Sequence, residues 1–319
     1  MRILVLGSTG YLGAHVTERL RAVEGVRPLL GGRSPGSDLV VDLATVRTGP
    51  LAEALAALAP DAVVNCAGAV GGDPVTLAEV NARGPAVLCA ALRETVPGAR
   101  LVHLGSAAEY GPGRPGEPVT EDAPTRPVAP YGATKLAGTV AVTSSGLDAV
   151  VLRVGNPVGP GAPAAGLPGG LARRLLRAGG DAEAVVRLGD LSGYRDFVDV
   201  RDVARAVELA VTRPGPVPPV LNVGGGRAVP VRDLVHGLVR TAGFPGRVEE
   251  AGDGSARSAA VAWQCSDVSA ARRALGWSPR FGLDDSVAAL WADLAGPRPP
   301  ARPEAPAGAV PESGRGTVR

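Results

Sequence analysis

The sequence predicts an α/β protein whose larger part is a doubly wound parallel sheet. Three observations carry that reading. A short apolar run, Ile3-Leu4-Val5-Leu6, ends in a glycine-rich turn and passes straight into a helical stretch. Further apolar runs then alternate with helical stretches over roughly the first half of the chain. Those runs are continuously apolar instead of alternating with polar residues, which marks strands buried on both faces.

The elements follow in order. The first turn is Gly7-Ser8-Thr9-Gly10-Tyr11-Leu12-Gly13, and the helix after it runs from Ala14 to Val23. Glycines here let backbone amides approach a pyrophosphate that rests on the helix N-terminus. A tight turn without a ligand is the competing reading. Strand, glycine-rich turn and helix in that order favour dinucleotide binding.

A second strand, Arg27 to Gly31, ends in Gly31-Gly32-Arg33-Ser34. An NAD-binding domain usually places an Asp or Glu there to hold the adenosine ribose hydroxyls, and no acid stands at this strand end. Arg33 beside Ser34 suits a 2′-phosphate, so the pair favours NADP(H) over NAD. A solvated loop arginine is the alternative. Val40-Val41-Asp42-Leu43 reads as a strand whose Asp42 could reach the adenine amino group.

Ala62 to Asn65 is a buried-type strand that runs into Cys66-Ala67-Gly68, and a helix around Leu77 to Ala90 contains Asn81. Leu101 to Leu104 is the next strand, with Gly105-Ser106 just past its end. Ligands of open parallel sheets sit at that edge. Residues Gly111 to Pro130 are dense in Pro, Gly and polar side chains, and read as a loop closing over the site. Pro130 suits a helix start. A strand at Val150 to Leu152 leads to Arg153-Val-Gly-Asn156-Pro157-Val158-Gly159, with Asn156 on the same rim as Ser106. Beyond Gly161 the alternation breaks. Helices are expected around Leu171–Ala178, Val203–Val211, Val231–Thr241 and Leu283–Leu294, with strand character at Leu221–Val223. Residues 296–319, rich in Pro and Ala, read as a disordered tail.

Chemistry concentrates in Tyr131-Gly-Ala-Thr-Lys135, which lies 25 residues after Ser106. On a helix, Tyr131 and Lys135 leave the same face. A phenol has an ordinary pKa of about 10 and is a poor proton donor or acceptor near neutrality. A neighbouring ammonium favours the phenolate and brings that value toward working pH. Ser106 could then hold the substrate oxygen whose proton Tyr131 exchanges. Lys135 is the chain's single lysine, every other basic side chain being arginine. A solvated helix face can carry the same spacing, so the rest of the chain has to decide.

Composition excludes several classes. A formal net charge of +2, with acids and bases interspersed, gives no nucleic-acid footprint. Cys66, Cys89 and Cys265 lack metal or disulfide spacing, which fits a reduced cytoplasmic protein without a metal. His15, His103 and His236 are scattered on apolar or helical patterns and read as packing or surface residues. No apolar run is long enough to span a membrane, and the first one is too short for a signal peptide.

Together these residues resemble the extended short-chain dehydrogenase/reductases of the NAD-dependent epimerase/dehydratase family, which work on nucleotide sugars. The resemblance runs to about Leu294. It rests on the Gly7/Gly10/Gly13 turn, Ser106-Ala-Ala-Glu-Tyr-Gly111, Pro130-Tyr131-x-x-x-Lys135, Arg153-x-x-Asn156-Pro-x-Gly159, Arg195-Asp-Phe-Val-Asp-Val and Asp267 to Trp277. It implies a Rossmann domain over 1–155 that also receives about 195–225. A smaller, mostly C-terminal α/β substrate domain would take 156–194 and 226–295. It implies a homodimer formed through a helix bundle.

Carried over residue by residue, Ser106, Tyr131 and Lys135 match the family's catalytic triad. Candidate cofactor contacts are Gly7, Thr9, Gly10, Tyr11, Leu12, Gly13, Arg33, Ser34, Asp42, Leu43, Cys66, Ala67, Gly68, Asn81, Asn156 and Val158, with Tyr131 and Lys135. Candidate substrate contacts are Ser106, Ala107, Asn156, Arg195 and Arg257, the two arginines matching those that bind a nucleotide diphosphate. For Arg195 an ion pair with a neighbouring Asp is the competing role. Dehydratases of the family carry Asp-Glu where this chain has Ala107 and Ala108, so dehydration is not expected, and Glu109 should point elsewhere. The favoured expectation is an NADP(H)-dependent reductase of the C4 ketone of a dTDP-4-keto-6-deoxyhexose. An NAD-dependent nucleotide-sugar 4-epimerase is the alternative, and a non-catalytic NADP-binding sensor or scaffold a third. The Ala/Gly/Pro/Arg bias fits a GC-rich genome, in which relatives often serve deoxysugar pathways for antibiotics.

Overall fold

The computed structural model describes residues 1–252 and 261–296. The proposed phosphate-binding Arg257 and the tail beyond 296 lie outside the described residues. In chain order the first strands are β1 (Arg2–Leu6), β2 (Arg27–Gly32), β3 (Leu39–Val40), β4 (Ala62–Asn65), β5 (Arg100–Ser106) and β6 (Ala149–Val154). They are followed by β7 (Asn156–Val158), β8 (Val185–Leu188), β9 (Tyr194–Asp199), β10 (Val220–Val223), β11 (Ala228–Pro230) and β12 (Arg247–Glu250). The helices of the first half are α1 (Tyr11–Arg21), α2 (Thr48–Leu58), α3 (Pro74–Ala78), α4 (Gly84–Thr95) and α5 (Pro130–Thr143). Those of the second half are α6 (Leu167–Ala178), α7 (Val200–Thr212), α8 (Val231–Ala242), α9 (Ser269–Leu275) and α10 (Leu283–Ala295).

Seven strands form one parallel sheet in the order β10-β6-β5-β4-β1-β2-β3. Its pleat sends Ile3 and Val5 of β1 to one face, where α1, α7 and α9 cover them. Leu4 and Leu6 go to the other face, under α2, α4 and α5. Both faces being covered, the strands have no polar side to alternate with, which is why they read as continuous apolar runs. Strand order reverses between β1 and β4. Such a reversal opens a crevice at the carboxyl edge of a sheet and is the preferred ligand position in this architecture.

A separate core gathers α6, α8 and α10 over β7 and β8, with Leu171, Leu234 and Leu290 at its centre. Here β9 pairs with β7 and β11 in a three-stranded sheet, and β8 pairs with β12. The chain leaves the large sheet after β6, contributes to this smaller lobe, and returns through α7 and β10. Buried Asp202 clamps the junction: its carboxylate accepts from Arg280 N and Phe281 N at 2.7 and 3.0 Å, and its carbonyl from Trp277 Nε1 at 2.9 Å.

Several elements differ from the sequence reading. The helix expected over 77–90 is broken by a π-helical turn at Glu79–Arg83, which separates α3 from α4. Strand β3 stops at Val40, and Asp42 belongs to the turn after it, its carboxylate accepting from Ala44 N at 3.0 Å. The loop over 111–129 is stitched along the outer edge of β10. Asn222 of that strand donates its backbone N–H to Glu121 at 2.8 Å and its side-chain amide to the Val119 carbonyl at 2.9 Å. Val119 N in turn donates to Cys265 O at 2.8 Å. The loop therefore satisfies an edge strand that would otherwise be open.

The glycine turn shows why those positions carry no side chain. Gly7 has φ +74°, and a Cβ there would lie 2.8 Å from Ala67 N. A Cβ on Gly13 would overlap the Gly7 carbonyl oxygen. Gly13→Ala should therefore lower stability by about 1–3 kcal/mol through overpacking, and weaken dinucleotide binding at least about tenfold. Thermal unfolding and a fluorescence titration with NADPH check both.

Candidate active site

Helix α1 opens on Gly10, which gives it no side-chain cap. Its first amides are therefore available, at the positive end of the helix, to an anion lying over the turn. Thr9 and Gly10 are exposed, Leu12 is half-buried and packs against the core, and Tyr11 reaches sideways to Gly159 O at 3.5 Å. Cys66-Ala67-Gly68 follows β4 directly beside Gly7, on the other side of the crevice. These features fit the pyrophosphate of a dinucleotide: a cradle that any Cβ would fill and an uncapped helix end.

Asn81 sits in the π-helical turn with 1 % of its surface exposed. Its amide braces the loop after Gly68, accepting from Ala69 N at 2.9 Å and donating to Ala69 O at 2.8 Å and Thr134 Oγ1 at 3.3 Å. The turn is thus a strut between that loop and α5. Gly138 of α5 lies so close to the Asn81 carbonyl that a Cβ would overlap it.

Helix α5 carries Tyr131 in its first turn and Lys135 one turn later. A Cβ on Gly132 would lie 2.5 Å from Ala108 O, so the bare glycine lets the start of α5 rest on the segment just past Ser106. Ser106, at the end of β5, is 8 % exposed, and its Oγ accepts from Ala108 N at 3.2 Å. Ser106 and the start of the helix that carries Tyr131 and Lys135 therefore lie side by side at the carboxyl end of β5. Lys135 is buried and its Nζ donates to Leu104 O at 2.5 Å. Burial pushes its ammonium down to about 8, and the Glu109 carboxylate and the Cys66 thiol oppose that fall. The Cys66 thiol is itself raised by burial to about 12, so it offers no nucleophile near neutrality. Burial, and then the Lys135 charge, hold the His103 imidazole well below its ordinary value, so it stays neutral.

Glu109 is fully buried and turned away from the rim. Its Oε1 accepts from Ser106 N at 2.7 Å, and its Oε2 from Thr139 Oγ1 at 2.9 Å and Arg153 Nε at 2.8 Å. Ala107 is buried, so the positions where dehydratases carry acids offer no carboxyl group to a substrate. Tyr110 donates to Asn222 Oδ1 at 2.7 Å, and the Arg153 guanidinium stacks 4.5 Å over its ring.

Other predicted contacts fall into place unevenly. Arg33 is exposed and Ser34 half-buried beyond β2. Asp38, an acid the strand-end rule misses because it lies four residues past Ser34, folds back so that its carboxylate accepts from Leu30 N at 2.7 Å. Leu43 is buried in the core beneath the sheet and Val158 in the core of the smaller lobe, so their side chains serve packing. Asn156 lies on the rim but spends its amide N–H groups on Asp196 O at 3.2 Å and Gln264 Oε1 at 3.0 Å. Gln264 carries no sequence signal, since the fold brings it from 108 residues away. Arg195 is half-buried and donates to Tyr194 O at 2.8 Å. Its neighbour Asp196 faces the interior, where it accepts from Gly225 N at 2.6 Å and Ser266 N at 2.9 Å; burial lifts its carboxyl to about 6 against those bonds.

Comparison with known proteins agrees with this fold. The sequence model of the NAD dependent epimerase/dehydratase family matches residues 3–224. The chain is 37% identical over 303 residues to dTDP-6-deoxy-L-talose 4-dehydrogenase (NAD(P)(+)) of Kitasatospora kifunensis, covering 91% of this chain and 94% of that protein. It is 30% identical over 315 residues to UDP-glucose 4-epimerase of Mycolicibacterium smegmatis, covering 90% and 96%. Among solved structures, UDP-glucose 4-epimerase of Thermus thermophilus in complex with NAD superposes with a TM-score of 0.79 at 27% identity, covering 93% of this chain and 99% of that one. The chain belongs to the NAD-dependent epimerase/dehydratase family, the extended short-chain dehydrogenase/reductases that modify nucleotide sugars.

The single lysine makes the site's electrostatics directly measurable. Isotopic labelling of lysine gives one side-chain signal in a nuclear magnetic resonance titration, and its midpoint should fall near 8 in place of the ordinary 10.5. The folded value lies below the unfolded one, so between them the unfolded chain binds the extra proton. This group therefore makes stability rise with pH from about 8 to about 10.5.

Proposed function

We propose that the protein reduces the C4 ketone of a dTDP-4-keto-6-deoxyhexose in deoxysugar biosynthesis, using NADP(H) in preference to NAD. The observation that carries this reading is the burial of the chain's only lysine at the carboxyl edge that also presents Ser106 and Tyr131. The 37% identical relative supports it, because its name states a 4-dehydrogenase of a dTDP-6-deoxyhexose. Oxidation at C4 and reduction at C4 are one reaction run in opposite directions.

In this reading the dinucleotide, when bound, supplies the hydride. Ser106 holds the carbonyl oxygen and polarises it, and Tyr131 delivers the proton to that oxygen. Lys135 keeps the phenol's proton transferable near neutral pH and binds the nicotinamide ribose. Arg195, with Arg257, holds the diphosphate by bidentate pairing. The lobe made by 156–194 and 226–295 receives the sugar nucleotide. Arg33 with Ser34 supports a 2′-phosphate, whereas the Asp38 carboxylate near the same strand is the feature that would suit NAD. The reading takes the protein to be a homodimer, on the family resemblance, and cytoplasmic, on its cysteine usage.

A second reading is a nucleotide-sugar 4-epimerase using the same residues, supported by the 30% identical epimerase that matches along nearly its whole length. Cofactor handling separates the two. A reductase releases spent cofactor at each turnover, while an epimerase regenerates it in place and retains NAD.

Tyr131→Phe should lower turnover of a dTDP-4-keto-6-deoxyhexose by about 10²–10⁴-fold and leave NADPH affinity within about twofold. Steady-state NADPH oxidation and a binding titration read both. Retained turnover would remove Tyr131 from the chemistry. Stoichiometric NAD released from the purified, denatured protein would favour the epimerase.

A further inference from the structure

Glu109 is a fully buried carboxylate beside the triad with both oxygens engaged, and nothing in the mechanism above uses it. We propose that Glu109 is a positioning residue that ties Ser106 at the end of β5 to the helix carrying Tyr131 and Lys135. This rests on the triad proposed above.

Four observations converge on it. The carboxylate is completely buried, and both its oxygens are engaged. One oxygen accepts the backbone N–H of Ser106 itself, at 2.7 Å, fixing the peptide that aims the Ser106 side chain. The other accepts the hydroxyl of Thr139 at 2.9 Å. Thr139 lies one turn beyond Lys135 and two beyond Tyr131 on the same helix face, so this bond sets where the helix sits along its axis. Finally, the chain keeps space for the carboxylate: a Cβ on Gly105 would lie 2.7 Å from Glu109 Oε1. The Arg153 guanidinium, itself buried, pairs with the same carboxylate at 2.8 Å, so neither group lies in the interior without its partner.

The carboxylate also balances charge. The titratable groups around the Lys135 ammonium are Glu109, Cys66 and His103, and Glu109 is the strongest of those that hold the ammonium up against burial. Tether and charge can be separated by two substitutions. Thr139→Val cuts the link to the helix and leaves the carboxylate in place. Glu109→Gln keeps the shape and one acceptor but removes the charge and leaves Arg153 without its carboxylate.

The test measures kcat, NADPH affinity and the Lys135 titration midpoint for the wild type and both variants. In Glu109→Gln, the midpoint should fall by about one unit and kcat by about 10–100-fold, with NADPH affinity near that of the wild type. In Thr139→Val, the midpoint should stay put while kcat falls about tenfold. An unshifted midpoint in a folded Glu109→Gln, or wild-type kcat in Thr139→Val, would overturn the proposal. If Glu109→Gln fails to fold, Thr139→Val alone still decides whether the tether matters. The midpoint needs no substrate. A wild type that reduces no 4-keto sugar would therefore sink the reductase reading and leave the role of Glu109 to be judged on the titration.

Discussion

One buried ammonium constrains the rest of the site. Lys135 sits beneath the carboxyl edge of the sheet with its charge held by the Leu104 carbonyl at 2.5 Å and by the field of Glu109. An isolated ion there would cost several kcal/mol of lost hydration, so the surroundings must answer for it. They do so through a chain of buried polar groups that runs from Glu109 to Arg153, across the Tyr110 ring to Asn222, and out to the loop at Glu121. That chain joins β5, β6, β10 and the 111–129 loop, so the electrostatic support of the site is also part of what fixes the fold around it.

Backbone geometry does the remaining positioning. Glycines stand where elements come closest: Gly7 against Ala67, Gly132 against Ala108, and Gly138 against Asn81. Each removes a side chain that would push apart the turn over the helix end, the Ser106 segment and α5. The π-helical turn at Glu79–Arg83 adds a strut, because it aims the Asn81 amide at the Ala69 backbone and at Thr134. The candidate dinucleotide cradle and the candidate proton-transfer groups are thereby held by the same contacts.

Much of this was legible in the sequence because the signals are local. The strand-turn-helix context around Gly7, the continuous apolar strands and the spacing of Tyr131 and Lys135 all follow from neighbours along the chain. What was not legible depends on residues that meet only after folding. Asp38 reaches Leu30, Gln264 reaches Asn156, and Glu121 caps β10 across 101 residues. The break in the helix around Asn81 has a local cause that apolar periodicity does not register: Pro85 has no N–H to donate to the Asn81 carbonyl, and Gly138 packs against that carbonyl. The reading that Glu109 points away from the rim rested on one residue of displacement from the dehydratase positions. The structure adds what it points toward.

The central claim is that this edge transfers hydride to and from C4 of a sugar nucleotide. The most direct measurement is to supply NADPH carrying deuterium at the transferable position, together with a dTDP-4-keto-6-deoxyhexose, and to locate the label by mass spectrometry and nuclear magnetic resonance. The account predicts one deuterium at C4 of the product for each NADP⁺ formed. Product without deuterium at C4, or no product with any 4-keto sugar nucleotide, would contradict it.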